Sequence, residues 1–187
     1  MEAYEKYRWF ITSEGKLVIG GKSAEQNEKI MASVRKDSVV MHTSAPGSPF
    51  CIISNPTKEE IEEVAIFTAC FGQEWKRGKK KTSVDIFRGN QVSKKKDMKT
   101  GTFGVSGKIE HKEVKLELAL DFQKKKLRAV PIAASKSPIL IITPGNLNKE
   151  QAIKEIARII KEKLCYPVTK DEIASAIPSD KIGVREI

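Results

Sequence analysis

The sequence predicts an α/β (α+β) fold in which helices pack on a mixed, largely antiparallel sheet, followed by a small C-terminal β-α portion. Short runs rich in aromatic and β-branched residues indicate strands. Other segments repeat apolar residues at helical spacing, and several of these begin with Ser or Thr three residues before Glu or Gln, which is the spacing of a helix capping box. The 187 residues suit one domain with a small appendage.

The N-terminal half alternates predicted strands and helices. Residues 7–12 and 16–19 form a hairpin around a glycine-containing turn. Ser23 begins a helix that is expected to reach about Arg35. Strands follow over residues 37–42 and 50–54. A capping box at Thr57 then begins the strongest helix, whose apolar spacing continues as far as Trp75.

The C-terminal half contains more strands and two further helices. The strands are predicted over residues 83–87, 100–108, 112–122, 127–133 and 139–143. Asn148 begins a helix that runs to about Leu164, and Thr169 begins a short helix that ends at Pro178.

The composition excludes several classes of protein. No apolar run approaches the roughly 20 residues of a membrane helix, and the N-terminal MEAYEKYRWF lacks the apolar segment of a secretory signal. Cys51, Cys70 and Cys165 form no Cys-x-x-Cys pair, and His42 and His111 are too few to complete a zinc site. We therefore expect buried, reduced thiols in a cytoplasmic protein, with no metal site and no cofactor.

The positive charge is concentrated in one segment. The chain has a net charge of +10, and residues 76–108 contain eleven Lys or Arg against two acidic residues, a local charge of +9. A single basic segment on an otherwise balanced protein predicts a polyanionic partner. The stretch Gly20-Gly21-Lys22-Ser23 looks like the end of a nucleotide-binding P-loop, but Lys16 stands where that motif needs its first glycine.

Three segments in this order resemble the NFACT-R domain, the RNA-binding module of the NFACT family. The first segment contains Arg8-Trp9-Phe10, Gly15, Leu17–Lys22 and Gln26-Asn27-Glu28. The second contains Asp37 and His42, and the third contains Gln91–Lys94, Gly101-Thr102-Phe103, Gly107 and Lys108. The resemblance implies an RNA-binding core over residues 1–110, against which residues 111–187 pack. The N-terminal domain and coiled coil of long, tRNA-binding members do not fit in 187 residues, which implies a solo form.

The lysine-rich loop is the strongest candidate for contact with RNA. Consecutive exposed lysines can neutralise several phosphates, while neighbouring Gln and Ser side chains can bond to sugars or bases. The basic run 76–81 would act in the same way, and the Gly20-Gly21 loop would add a shape-specific contact. The predicted RNA-binding residues are Lys22, Gln26, Asn27, His42, Lys76, Arg77, Lys79, Lys80, Lys81, Gln91, Ser93, Lys94, Lys95, Lys96, Lys99 and Lys108.

Other interpretations of single residues are open. His42 could act as a catalytic base if Asp37 or Asp85 converged on it, but no Ser or Cys nucleophile can be assigned, and no catalytic residue is predicted. Trp9, Phe10 and Trp75 could stack on bases, although their spacing favours the core. Lys124, Lys125 and Lys126 are expected in a solvated hairpin turn.

These observations predict a noncatalytic RNA-binding protein. Its expected partner is tRNA or ribosomal RNA, with DNA not excluded, and its expected context is translation, ribosome quality control or tRNA modification. One alternative is a protein-interaction module that docks on a ribosomal or RNA-modification partner, and a second is an RNA-processing enzyme that uses His42. No membrane partner is expected, and the oligomeric state is left open.

Overall fold

The computed structural model describes residues 2–187, which form two main antiparallel sheets with helices packed on them. The strands are β1 (Arg8–Ile11), β2 (Leu17–Gly20), β3 (Val39–Thr43), β4 (Cys51–Ile53), β5 (Lys81–Arg88), β6 (Val92–Ser93), β7 (Gly104–Val105), β8 (Glu110–Lys115), β9 (Leu118–Gln123), β10 (Lys126–Val130), β11 (Leu140–Leu147) and β12 (Ile182–Glu186). The helices are α1 (Ala24–Ala32), α2 (Lys58–Cys70), α3 (Gln73–Lys76), α4 (Lys149–Leu164) and α5 (Lys170–Ala176). The predicted α/β class is confirmed.

The predicted helix starts are confirmed by their caps. The side chains of Ser23, Thr57, Asn148 and Thr169 each accept a hydrogen bond from the backbone N–H three residues later. Such caps satisfy N–H groups that have no partner inside the helix. No helix in residues 2–187 is long and apolar enough to cross a membrane.

The first sheet has the strand order β1-β2-β4-β3-β5-β8, and its two faces are covered differently. Because side chains alternate along a strand, Val39 and Met41 of β3 face the main core with α2, whereas Val40 faces the other side. There Val40 joins a smaller cluster with Met31 of α1 and Phe87 of β5, which residues of the β6-β7 hairpin complete. This second face carries the candidate site.

The second sheet has the order β10-β9-β11-β12, and α4 and α5 pack on it. Its residues share the main core with the first sheet. The Gln123 side chain also accepts a hydrogen bond from the Ile11 N–H at 2.7 Å and donates one to the Ile11 carbonyl at 2.8 Å. The C-terminal portion therefore covers the free edge of β1 and packs against the first sheet.

Three predicted elements differ clearly from the structure, and one observed strand was not predicted. The helix predicted to reach Trp75 ends at Cys70, because Gly72 is extended and the chain turns there into the separate helix α3. The strand predicted over 112–122 divides at Leu116 and Glu117, where the chain passes from the first sheet to the second. Only Gly104 and Val105 pair within the predicted strand 100–108, and β12 had no predicted counterpart.

Candidate nucleic-acid interface

A cleft of about 650 Å³ is lined in part by His42 and Phe87, on the second face of the first sheet. Its lining also includes residues 21–24 at the start of α1 and residues 71–73 at the corner between α2 and α3. The β3-β4 loop contributes residues 46–50, and the segment before β7 contributes residues 101–103. The cleft therefore forms where four separate parts of the chain meet.

The structure brings four of the predicted site residues to this cleft, namely Lys22, Asn27, His42 and Lys76. The exposed residues Lys95, Lys96 and Lys99 lie in the loop that leads into the wall at residues 101–103.

The other basic residues of the predicted set lie on exposed segments outside the cleft lining. Arg77 and residues 79–81 continue from Lys76 along the exposed turn into β5, where Arg77 pairs with Glu74 and Lys81 pairs with Glu113 at 3.0 Å. Lys108 is exposed just before β8.

Lys94 differs from the other lysines of its loop. Its ammonium lies 3.0 Å from the Glu28 carboxylate and donates to the carbonyls of Lys99 at 2.7 Å and Thr102 at 3.0 Å. It also lies 4.9 Å from the centre of the Phe103 ring. The Lys94 side chain thus holds the loop in shape and fastens it to α1.

Gln91, Ser93 and Gln26 bond to the backbone of their own region. Gln91 accepts from the Arg88 N–H at 2.8 Å and donates to the carbonyls of Ser106 and Lys108 at 2.9 and 2.8 Å. Ser93 donates to the Gly104 carbonyl at 3.4 Å. Gln26 bonds to the backbone of Lys22 and Lys6. The QVSK segment therefore shapes the β6-β7 hairpin.

The Gly20-Gly21 loop is packed against the protein itself. A Cβ at Gly21 would lie 2.0 Å from Asn27 Oδ1, and one at Gly20 would lie 2.7 Å from the Cys51 sulfur. Asn27 Oδ1 in turn accepts a hydrogen bond from the Phe50 N–H at 3.2 Å. The two glycines are required for the close approach of α1 to β2 and β4, and residues 17–20 form a strand, as expected for a loop that is not a P-loop.

His42 lies on the second face of the first sheet, with Asp85 opposite it on β5. Its ring stacks on Phe50 with ring centres 4.4 Å apart and planes 28° apart. Burial lowers the pKa of His42, although the Asp85 charge partly offsets this, so the neutral imidazole is favoured. The Asp85 carboxylate accepts from Ser44 and lies 2.8 Å from His111 Nδ1.

The structure also decides the expectations for the aromatic residues, the β9-β10 turn and the cysteines. Trp9, Phe10 and Trp75 are fully buried, so they belong to the core and have no ring face available for a base. Lys124 and Lys125 form the predicted hairpin turn between β9 and β10. Lys126 instead begins β10 and pairs with Glu5 at 2.7 Å. Cys165 is exposed, contrary to the expectation of buried thiols, and it forms the C-cap of α4 in a left-handed conformation.

Three residues that were not predicted as site residues also line the cleft, namely Arg8, Phe50 and Phe103. The Arg8 guanidinium lies 4.5 Å from the centre of the Phe71 ring. The sequence does place Arg8 directly before two aromatic residues on a short strand, and this pattern could have indicated it. Nothing in the local pattern indicates that Phe50 and Phe103 pack edge to face, with ring centres 5.3 Å apart.

Comparison with known proteins places this geometry in a family context. The family model described as "NFACT protein RNA binding domain" matches residues 6–107. The "Archaeal Rqc2 homolog aRqcH" of Methanocaldococcus jannaschii is 31% identical over 94% of this chain. The human "Ribosome quality control complex subunit NEMF" is 33% identical over 56% of it. The chain spans 28% of the archaeal relative and 11% of the human one.

A solved structure shares the fold. The C-terminal part of the fibronectin/fibrinogen-binding protein from Streptococcus suis superposes with a TM-score of 0.51 at 18% identity, covering 61% of this chain and 46% of that one.

Proposed function

Because the chain belongs to the NFACT RNA-binding domain family, we propose that it binds RNA without catalysis, with the cleft as its centre and the lysine segments as its rims. The observation that carries the proposal is the position of cationic side chains around a cleft lined with aromatic side chains. Lys22 and Lys76 lie at the cleft, and the loop with Lys95, Lys96 and Lys99 leads into its wall.

The rim lysines are free to meet phosphates. Among residues 2–187, no carboxylate forms an ion pair with Lys22, Lys76, Lys95, Lys96 or Lys99. Each phosphate that a lysine neutralises releases condensed counterions, which is the dominant sequence-independent contribution to nucleic-acid affinity. We expect these side chains to supply most of the affinity.

The cleft itself suits an unpaired nucleotide better than a helix. Its volume of about 650 Å³ is within the range of small-molecule sites, about 300–1,000 Å³. The exposed part of His42, already stacked on Phe50, offers an aromatic surface, and single-stranded bases bind by stacking on such rings. The site would therefore take a base from a loop, bulge or end of a folded RNA.

The RNA is proposed to be tRNA or ribosomal RNA in the cytoplasm. The support is the printed description of the relatives as ribosome quality control proteins. A role in translation, ribosome quality control or tRNA modification follows from the same relationship, and ribosomal or tRNA-modification proteins would be further partners.

The proposal is tested by binding of the purified protein to labelled tRNA, duplex RNA and duplex DNA over a salt series. The triple variant Lys95→Gln/Lys96→Gln/Lys99→Gln removes three rim charges and leaves the structural Lys94 in place. Lys124→Gln/Lys125→Gln/Lys136→Gln is the control with the same charge change. We expect tRNA to bind best and only the loop variant to lose affinity. Equal, weak binding of all three nucleic acids would count against RNA recognition.

Two alternative functions predict different experimental results. A slope of log K against log salt near zero would favour a protein-interaction module. An RNA-processing enzyme is suggested by His42 and Asp85, which both line the cleft, and it would lose turnover but keep RNA binding in His42→Ala. Binding is favoured because Asp85 contacts Ser44 and His111, and no hydrogen bond joins it to His42 among residues 2–187.

A further inference from the structure

Arg128 is a buried cation that forms no ion pair and no side-chain hydrogen bond among residues 2–187. Its side chain projects from β10, the residue is 8% exposed, and its guanidinium lies 4.9 Å from the centre of the Trp9 ring. Its Nε is buried and makes no hydrogen bond among residues 2–187. Arg8, one residue before Trp9, also has a buried Nε without a hydrogen-bond partner. Arg8, within β1, thus contacts the Phe71 ring and Arg128 contacts the Trp9 ring, and neither guanidinium forms an ion pair anywhere in residues 2–187.

Three cations gather in this region. Burial, followed by the charge of Arg8, lowers the pKa of Arg128 to about 10. Partial burial, followed by the charges of Arg128 and Arg8, lowers the pKa of Lys22. Arg8 pairs with Gly20 across β1 and β2, Lys22 follows two residues later, and Arg128 lies over the neighbouring Trp9 ring. The three positive charges therefore repel one another. None of them forms an ion pair within the described part of the chain.

The acids beside Arg128 are already bonded elsewhere. Asp121, opposite Arg128 on β9, accepts hydrogen bonds from the Ser135 hydroxyl and from the N–H groups of Lys136 and Ser137. Glu5 acts on Arg128 at a distance, but its carboxylate is bonded to Lys126 at 2.7 Å. Burying a cation without a partner is unfavourable, so the arrangement lowers the stability of the free protein. Planar guanidinium groups are suited to bidentate bonds with phosphate, and an anion held between the three cations would remove their repulsion.

The N-terminus of α1 adds to the positive potential of the three cations. Lys22 directly precedes Ser23, the N-cap of the nine-residue helix α1, and both line the cleft together with Arg8. Unpaired N–H groups and the helix dipole favour an anion at this end.

We propose that Arg8, Lys22 and Arg128 form a specific site for one phosphate group, at the junction of the cleft and the C-terminal sheet. The site rests on the proposed RNA-binding function and deepens it, because it assigns Arg128, from outside the matched residues 6–107, a direct part in binding. The phosphate could be a terminal monoester or an internal diester of the RNA. The cluster charge of +3 favours the dianionic monoester.

The thermal stability of the full chain in sodium phosphate, compared with sodium chloride at equal ionic strength, tests the site. Phosphate should raise the Tm of the wild type by about 3 °C or more at saturating concentration. Arg128→Met keeps an apolar side chain over Trp9 and should raise the Tm in chloride but abolish the increase in phosphate. The control Arg185→Met, on an exposed part of β12, should respond as the wild type does. An unchanged phosphate response in Arg128→Met, or none in the wild type, would overturn the site.

Binding to short RNA distinguishes a terminal phosphate from an internal one. Together with tRNA binding, it also distinguishes failure of the phosphate site from failure of the proposed function. A 5′-phosphorylated oligonucleotide that binds at least tenfold tighter than its 5′-hydroxyl form, with the difference lost in Arg128→Met, would assign the site to a terminal monoester. Equal binding of the two forms, each weakened by Arg128→Met, would assign it to an internal diester. Retained tRNA binding without a phosphate response would refute the site alone. A phosphate response without tRNA binding would refute the proposed function and keep the anion site.

Discussion

The Lys94 ammonium lies 3.0 Å from the Glu28 carboxylate, across 66 residues of sequence, and this pair fastens the lysine-rich loop to α1. The same Glu28 oxygen accepts a hydrogen bond from the Gly101 N–H at 2.7 Å. Gly101 has φ +75° and packs so closely on Ala24 that a Cβ would lie 2.8 Å from it. One carboxylate therefore positions both ends of the loop that leads into the cleft wall.

Lys94 and its neighbour Lys95 should respond differently to truncation. Lys94→Ala removes an ion pair and two charge-assisted hydrogen bonds, so we expect the free energy of unfolding to fall by about 1–2 kcal/mol. Lys95→Ala should leave stability unchanged and make the slope of log K against log salt shallower by about 0.7–0.9. Urea unfolding and RNA titration of both variants would check this. A stable Lys94→Ala protein would show that the loop does not depend on the pair.

The stability of the protein should fall on mild acidification because of His42. Burial lowers the pKa of this imidazole in the folded state, so the unfolded chain binds the proton more readily. The contribution of His42 to the free energy of unfolding is therefore complete above the unfolded-state pKa of about 6.5. It is lost as the pH falls through the lowered folded-state pKa.

Urea midpoints between about pH 8 and about pH 5 measure this effect. His42→Phe keeps an aromatic ring against Phe50 and should flatten the profile in that range. His111→Phe, at an exposed position, is the control and should keep the decline. A decline of the same size in His42→Phe would contradict the assignment.

Gly21 should tolerate no side chain while Asn27 is present. In Gly21→Ala the new Cβ would lie 2.0 Å from Asn27 Oδ1, and we expect a loss of about 1–3 kcal/mol, as for overpacking in a core. Asn27→Ala alone loses the hydrogen bond to the Phe50 N–H. In the double variant the two losses should be less than additive, because the clashing oxygen is gone. Strict additivity of the unfolding free energies would show that the contact is not the cause.

Local patterns predicted the elements of this fold well, because capping boxes and alternation are properties of neighbouring residues. The start of α2 at Thr57 is one example. Alternation continues through Leu116, however, while the chain passes from one sheet to another, and no local pattern distinguishes one partner sheet from another. The end of α2 was missed because Gly72 can be tolerated within a helix and only its tertiary contacts decide.

The sequence predicted the kinds of residue in the site better than the role of each one. A charge count identifies the basic segment, but it cannot show that Lys94 pairs with Glu28 while Lys95 and Lys96 form no ion pair with residues 2–187. Similarly, Arg128 looks like one more cation on a strand until β10 is placed beside Trp9. Such pairings join residues more than 60 positions apart and depend on the assembled sheets.

The salt dependence of tRNA binding, measured for two variants with the same charge change, tests the central claim most directly. Lys22→Gln/Lys76→Gln removes two charges at the cleft, and Lys124→Gln/Lys125→Gln removes two at the β9-β10 turn. If about six phosphates are neutralised, the wild-type slope should be roughly −4 to −5. We expect only the cleft variant to bind tRNA more weakly and to have a shallower slope, by about 1.5. Equal changes in the two variants would contradict it, because the charge would then act as a general surface field.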